Sequence, residues 1–123
     1  MVSTEVGLAP VLVYEKVGGS WQLTDQILDV DATGFDAWGE VLALDGDLLA
    51  ISASKSWVNG VNLTGAVYLY RDGPQGWTRE AVLEPGDPQL ASHLGISVAL
   101  DGDRVVAGAP FSATEIPLSL IHI

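Results

Sequence analysis

Cysteine is absent from this chain, so it offers no disulfide framework, thiolate metal site or cysteine nucleophile. Positive charge is scarce as well: five Lys and Arg stand against sixteen Asp and Glu, a formal net charge of −11. Lys16, Lys55, Arg71, Arg79 and Arg104 are scattered and form no basic patch. An acidic surface of this kind repels polyanions, which argues against nucleic acid and an anionic membrane surface as partners. No apolar run reaches the 18 or so residues that span a bilayer, so membrane insertion is not expected. Met1 to Gly7 lacks the basic region and apolar core of a signal peptide.

Catalytic constellations are missing too. His93 and His122 have no partner at a meaningful spacing, and each is expected to be a solvent-exposed side chain. There is no nucleophile elbow, no His-Glu-x-x-His and no phosphate loop. No catalytic residue, no cofactor and no enzymatic activity are expected.

What the chain does contain is repetition. Trp21 and Trp77, Tyr14 and Tyr70, Gly39 and Gly95, and Ala53 and Ala109 all stand 56 residues apart. The tetrapeptide Leu44-Asp45-Gly46-Asp47 returns at the same offset as Leu100-Asp101-Gly102-Asp103. Laying residues 11–54 over 67–110 without a gap gives 11 identities in 44 positions. Such an internal repeat sets the architecture before any site is considered. It is under way by Val11, so the native N-terminus is expected to lie upstream of Met1.

Hydrophobic residues make up 48% of the chain and charged residues 17%, too apolar for disorder, while 14 glycines and 6 prolines suit short strands separated by turns. Strands are expected at Val11–Lys16, Trp21–Leu28, 41–44, 48–51, 65–71 and 77–83, with a last pair on either side of Asp101-Gly102. Asp45-Gly46 and Asp101-Gly102 predict two-residue hairpin loops with both glycines at positive φ. Their flanking strands are apolar at nearly every position, so both faces must be covered although the tight turns make them antiparallel. Small residues at Ala107, Gly108 and Ala109 suit a strand where neighbouring sheets converge. Four-stranded antiparallel sheets stacked around an axis satisfy all of these conditions; that is a β-propeller. The expected fold is all-β, with one whole blade over about 41–83 and a half blade on each side. The outermost strands then lack neighbours, so the chain is expected to aggregate or to assemble with other copies.

The run Gly95-Ile96-Ser97-Val98-Ala99-Leu100, then Val105-Val106-Ala107-Gly108-Ala109-Pro110, with a Gly-Ala-Val-Tyr-Leu-Tyr strand as at 65–70, resembles the FG-GAP repeat of integrin-α-like propellers. The first copy is degenerate, with Trp38-Gly39 for the opening pair and Ser52-Ala53-Ser54 where Gly-Ala-Pro would stand. About two repeats are present, over residues 1–110. The tail 111–123 breaks the pattern and is expected to be non-native. The resemblance implies a fold more than an activity, because the motif residues build the blade.

In members of this family the loop between the motif strands carries an Asp-rich Ca²⁺ site. Here it has shrunk to the Asp-Gly turn, so Asp45 with Asp47, and Asp101 with Asp103, are read as turn formers. Asp29-Val30-Asp31-Ala32-Thr33-Gly34 looks more like the start of a Ca²⁺ loop, which makes Asp29 and Asp31 the metal candidates. The loop lies before the motif and lacks a closing acid, and no metal is expected. Trp21 and Trp77 are read as packing residues. Trp57, unmatched in a loop, is the candidate contact for a sugar or protein ligand. The resemblance implies a non-enzymatic scaffold, extracellular or at the cell surface, that binds protein or carbohydrate and packs against further blades of a longer protein. The alternative is the propeller portion of an extracellular hydrolase whose catalytic residues lie outside these repeats.

Overall fold

The computed structural model describes residues 9–29, 38–54, 65–84 and 94–109. Among them are eight strands and no helix: β1 (Val11–Val17), β2 (Ser20–Ile27), β3 (Trp38–Asp45), β4 (Leu48–Ala53), β5 (Ala66–Gly73), β6 (Gly76–Leu83), β7 (Ser97–Asp101) and β8 (Arg104–Gly108). They form a hairpin β1-β2, a four-stranded sheet β3-β4-β5-β6 and a hairpin β7-β8, with every ladder antiparallel. The fold is all-β, and its central sheet is a complete blade flanked by two half blades.

Both tight turns of the repeat are two-residue loops, with Gly46 at φ 64° and Gly102 at φ 61°. Their position differs by one residue from the sequence expectation. Asp45 pairs with Leu48 and Asp101 with Arg104, so the central residues are Gly46-Asp47 and Gly102-Asp103. The reason is steric. The first central position of a primed hairpin turn requires positive φ, which glycine adopts more easily than aspartate. The aspartates before the glycines therefore close the ladders.

Strands β4 and β5 are the most deeply covered, with all of Leu48–Ala53 and Ala66–Tyr70 buried. Alternation divides their side chains between two cores. Leu49, Ile51, Ala53, Ala66, Tyr68 and Tyr70 meet Val11, Ile27 and Trp38 on the side of the first hairpin. Leu48, Ala50, Val67 and Leu69 meet Val98, Leu100, Val105 and Ala107 on the side of the last. The blade is thus the middle layer of three, which explains strands that are apolar on both faces.

Equivalent positions show what a neighbouring layer does. Ala50 is 0% exposed, whereas Val106, 56 residues on, is 69% exposed on the uncovered side of β8. Tyr68 and Tyr70 are buried against the first hairpin, while their counterparts Leu12 and Tyr14 face outward from β1. The two tryptophans read as packing residues part company here. Trp77 is half-buried against the first core, but Trp21 is 68% exposed, since among the described residues no layer covers that face of β2. Leu42 and Leu44 line an apolar groove of about 300 Å³ with Val11–Tyr14, Leu49 and Trp77. Their copies Val98 and Leu100 pack against the preceding sheet, because β7 lies over β3 and β4.

Candidate functional site

The most elaborate polar arrangement among the described residues lies where the first hairpin meets the blade. Alternation along β5 puts Tyr68 and Tyr70 on the face turned to β1-β2, and pairing places Arg79 of β6 directly opposite Tyr70. Both reach Asp29, which follows β2 and whose side chain is only 4% exposed. Tyr70 donates its hydroxyl hydrogen to Asp29 Oδ2 at 2.5 Å, and Arg79 Nη1 lies 2.9 Å from Oδ1 and 3.0 Å from Oδ2. Burial, followed by the hydrogen bond to Asp29, pushes the Tyr70 phenol well above its ordinary range.

Aromatic contacts complete the cluster. Trp38 donates its indole N–H to the carbonyl of Ile27 at 3.2 Å, which satisfies its one polar atom. Its ring meets Tyr68 edge-to-face, with centroids 4.9 Å apart at 75°, and Tyr70 at 6.4 Å and 83°. The Arg79 guanidinium lies 6.0 Å from the Tyr68 ring centre, at the outer reach of a cation–π contact. A charged carboxylate is tolerated at this depth because a cation and a hydroxyl both point at it. The arrangement locks two layers together. Its carboxylate faces Arg79 and the Tyr70 hydroxyl.

The residues singled out in the sequence fall as follows. Asp29 belongs to this cluster, whereas Asp31, Trp57, His93, His122 and the tail 111–123 lie outside the described residues. Asp45 Oδ2 accepts a hydrogen bond from the Gly102 amide at 2.8 Å, so one turn caps the next. Asp47 lies 2.8 Å from Arg71 Nη1, and Arg71 Nε lies 2.7 Å from Glu80. The hydrogen bonds to Glu80 and then Asp47 hold the Arg71 proton more tightly than usual, and Arg71 in turn lowers the Glu80 carboxyl. These are exposed pairs, screened by water, and they add little to stability.

The motif glycines have a geometric role. Gly39 has φ 79° and Gly95 φ 100°. A Cβ at Gly39 would lie 3.0 Å from Val11 Cγ2, and one at Gly95 would lie 3.3 Å from Val67 Cγ2. Val11 and Val67 are themselves 56 residues apart. In both copies, then, the glycine lets the chain cross close over the same valine of the preceding layer. The other half of the motif makes room within one sheet: a Cβ at Gly108 would fall 2.5 Å from Oγ of Ser97, its partner on β7. In the first copy the serine stands on the opposite strand, and Ser52 Oγ accepts the Val41 amide at 2.9 Å.

Comparison with protein families finds the FG-GAP repeat model matching residues 77–116. Residues 77–116 are an FG-GAP repeat. The matched segment holds β6, both motif strands and the Gly108-Ala109-Pro110 that ends the second copy. No curated protein matches the chain. The match agrees with the three layers, since Gly39 and Gly95 each let one sheet approach the next. Asp29, Arg79 and Tyr70 were not legible as a unit. In the other copy Arg79 corresponds to Leu23 and Asp29 to Pro85, so the repeat pattern passes over them. The available signal was Arg79 itself, one of five basic residues, alternating beside Trp77 on a strand that must bury one face.

Proposed function

We propose that this protein is a non-enzymatic β-propeller scaffold of a cell-surface or secreted protein, binding protein or carbohydrate through the loops that join its strands. The supporting observation is where the motif chemistry goes. Gly39, Gly95, Asp45 and the Asp29–Arg79–Tyr70 cluster are all engaged in holding layers together. Recognition then falls to the connections between strands, as it does in scaffolds that position variable loops on a rigid frame. A surface of net charge −11 favours neutral or basic ligands over polyanions.

Trp57 lies in one of those connections and is the residue to test. The 123-residue chain and its Trp57→Ala variant should be applied to an array of glycans and matrix proteins. Retention on a subset of spots, weakened about tenfold or more in the variant, is the expected result. Retention equal in both proteins would remove Trp57 from the contact, and retention on no spot would overturn the binding role.

A further inference from the structure

Asp-Gly is the dipeptide at which a protein backbone most readily rearranges, because glycine puts no side chain in the way of its own amide nitrogen. This chain holds three of them: Asp45-Gly46, Asp72-Gly73 and Asp101-Gly102. At the last, the nitrogen is already engaged. The Gly102 N–H donates to Asp45 Oδ2 at 2.8 Å, a charge-assisted bond that reaches from the turn of one layer to the turn of the next. We propose that Asp101-Gly102 is an isoaspartate-forming site and that Asp45 holds it in check.

The reaction begins when the Gly102 nitrogen attacks Cγ of Asp101 in its protonated carboxyl form. A C–N bond forms, the carboxyl OH leaves as water with the amide hydrogen, and a five-membered succinimide closes. Water then opens the ring at either carbonyl. One opening restores aspartate, and the other leaves isoaspartate, with the chain running through the side-chain carbon. Isoaspartate adds one carbon to the backbone at the pair Asp101 and Arg104, which closes the β7-β8 ladder, so the product disrupts that turn. Asp45 opposes the first step. The attacking nitrogen has to rotate toward Cγ and give up its hydrogen, and a carboxylate 2.8 Å away both binds that hydrogen and fixes the plane of the peptide. Asp45 thus has two places in the fold: it closes its own ladder against Leu48 and holds the amide of the following turn.

Asp45→Ala tests this in the 123-residue chain. The substitution removes the acceptor and also the Asp45-Gly46 dipeptide, which leaves two Asp-Gly bonds to compare. Asp72-Gly73, whose glycine pairs with Gly76 at another turn, serves as the internal clock. Both proteins are kept warm at neutral pH, and isoaspartate at each site is read by separating the digested peptides. Isoaspartate at Asp101 is expected to accumulate about fivefold faster or more in the variant, with Asp72-Gly73 unchanged. Hydrogen exchange at the Gly102 amide should quicken by a similar factor in the same variant. Equal acceleration at both dipeptides would mean that the layers had loosened as a whole, and it overturns the role of Asp45. Isoaspartate forming at Asp101 no faster in the variant than in the parent chain, or not at all, overturns the proposal.

Discussion

Gly95→Ala is expected to destabilise the protein by about 3 kcal/mol, far more than the same change at Gly102. At φ 100° an alanine costs about 1–3 kcal/mol in backbone strain. Its Cβ would also stand 3.2 Å from Ser52 Cβ and 3.3 Å from the Ala66 carbonyl oxygen, neither of which can swing aside. Overpacking of that kind adds roughly 1–3 kcal/mol. Gly102 has φ 61°, and a Cβ there would meet nothing within 4 Å, so only the left-handed penalty of about 1 kcal/mol applies. Denaturant midpoints should be compared at one protein concentration, since association shifts apparent stability. Equal losses at the two glycines would show that the layers do not approach as closely as the structure has them.

Arg79→Leu is expected to cost about 2–3 kcal/mol. Stranding one partner of a buried ion pair costs roughly 3–5 kcal/mol, and the 39% exposure of Arg79 reduces that by screening. Converting Asp29 to Asn in the same chain should recover about 1 kcal/mol or more, because no charge is then left buried. Tyr70→Phe isolates the third member. The folded phenol titrates above its unfolded value of about 10, so the neutral form favours the fold. That contribution is complete below about pH 10 and is lost as pH rises through the raised folded value. The unmodified protein should therefore lose stability on the alkaline side of about pH 10, with a shallower loss in the Phe variant. Parallel alkaline profiles would mean that Tyr70 is not held by Asp29.

The layered fold was open to reading because its signals are local and repeated. Apolar runs ending at Gly46 and Gly102 gave the hairpins, and the 56-residue offset gave the number of layers. The exact turn register was not, because Asp-Gly and Gly-Asp overlap in Asp-Gly-Asp and only glycine's claim on positive φ separates them. Trp21 read as a packing residue because its copy Trp77 is one; which side of a layer is covered depends on what lies next to it. The Asp29–Arg79–Tyr70 cluster escaped because its members are 50 and 41 residues apart and none of that spacing repeats.

The central claim is that two copies of one unit stack with the same glycine-on-valine crossing. Nuclear Overhauser contacts from the Val11 methyls to the Gly39 α-protons, and from the Val67 methyls to the Gly95 α-protons, test it most directly. The structure predicts both, since the positions are 3.0 and 3.3 Å apart when measured from a Cβ at each glycine. Finding one contact without the other, or neither in a folded chain, would contradict the stacked-blade account.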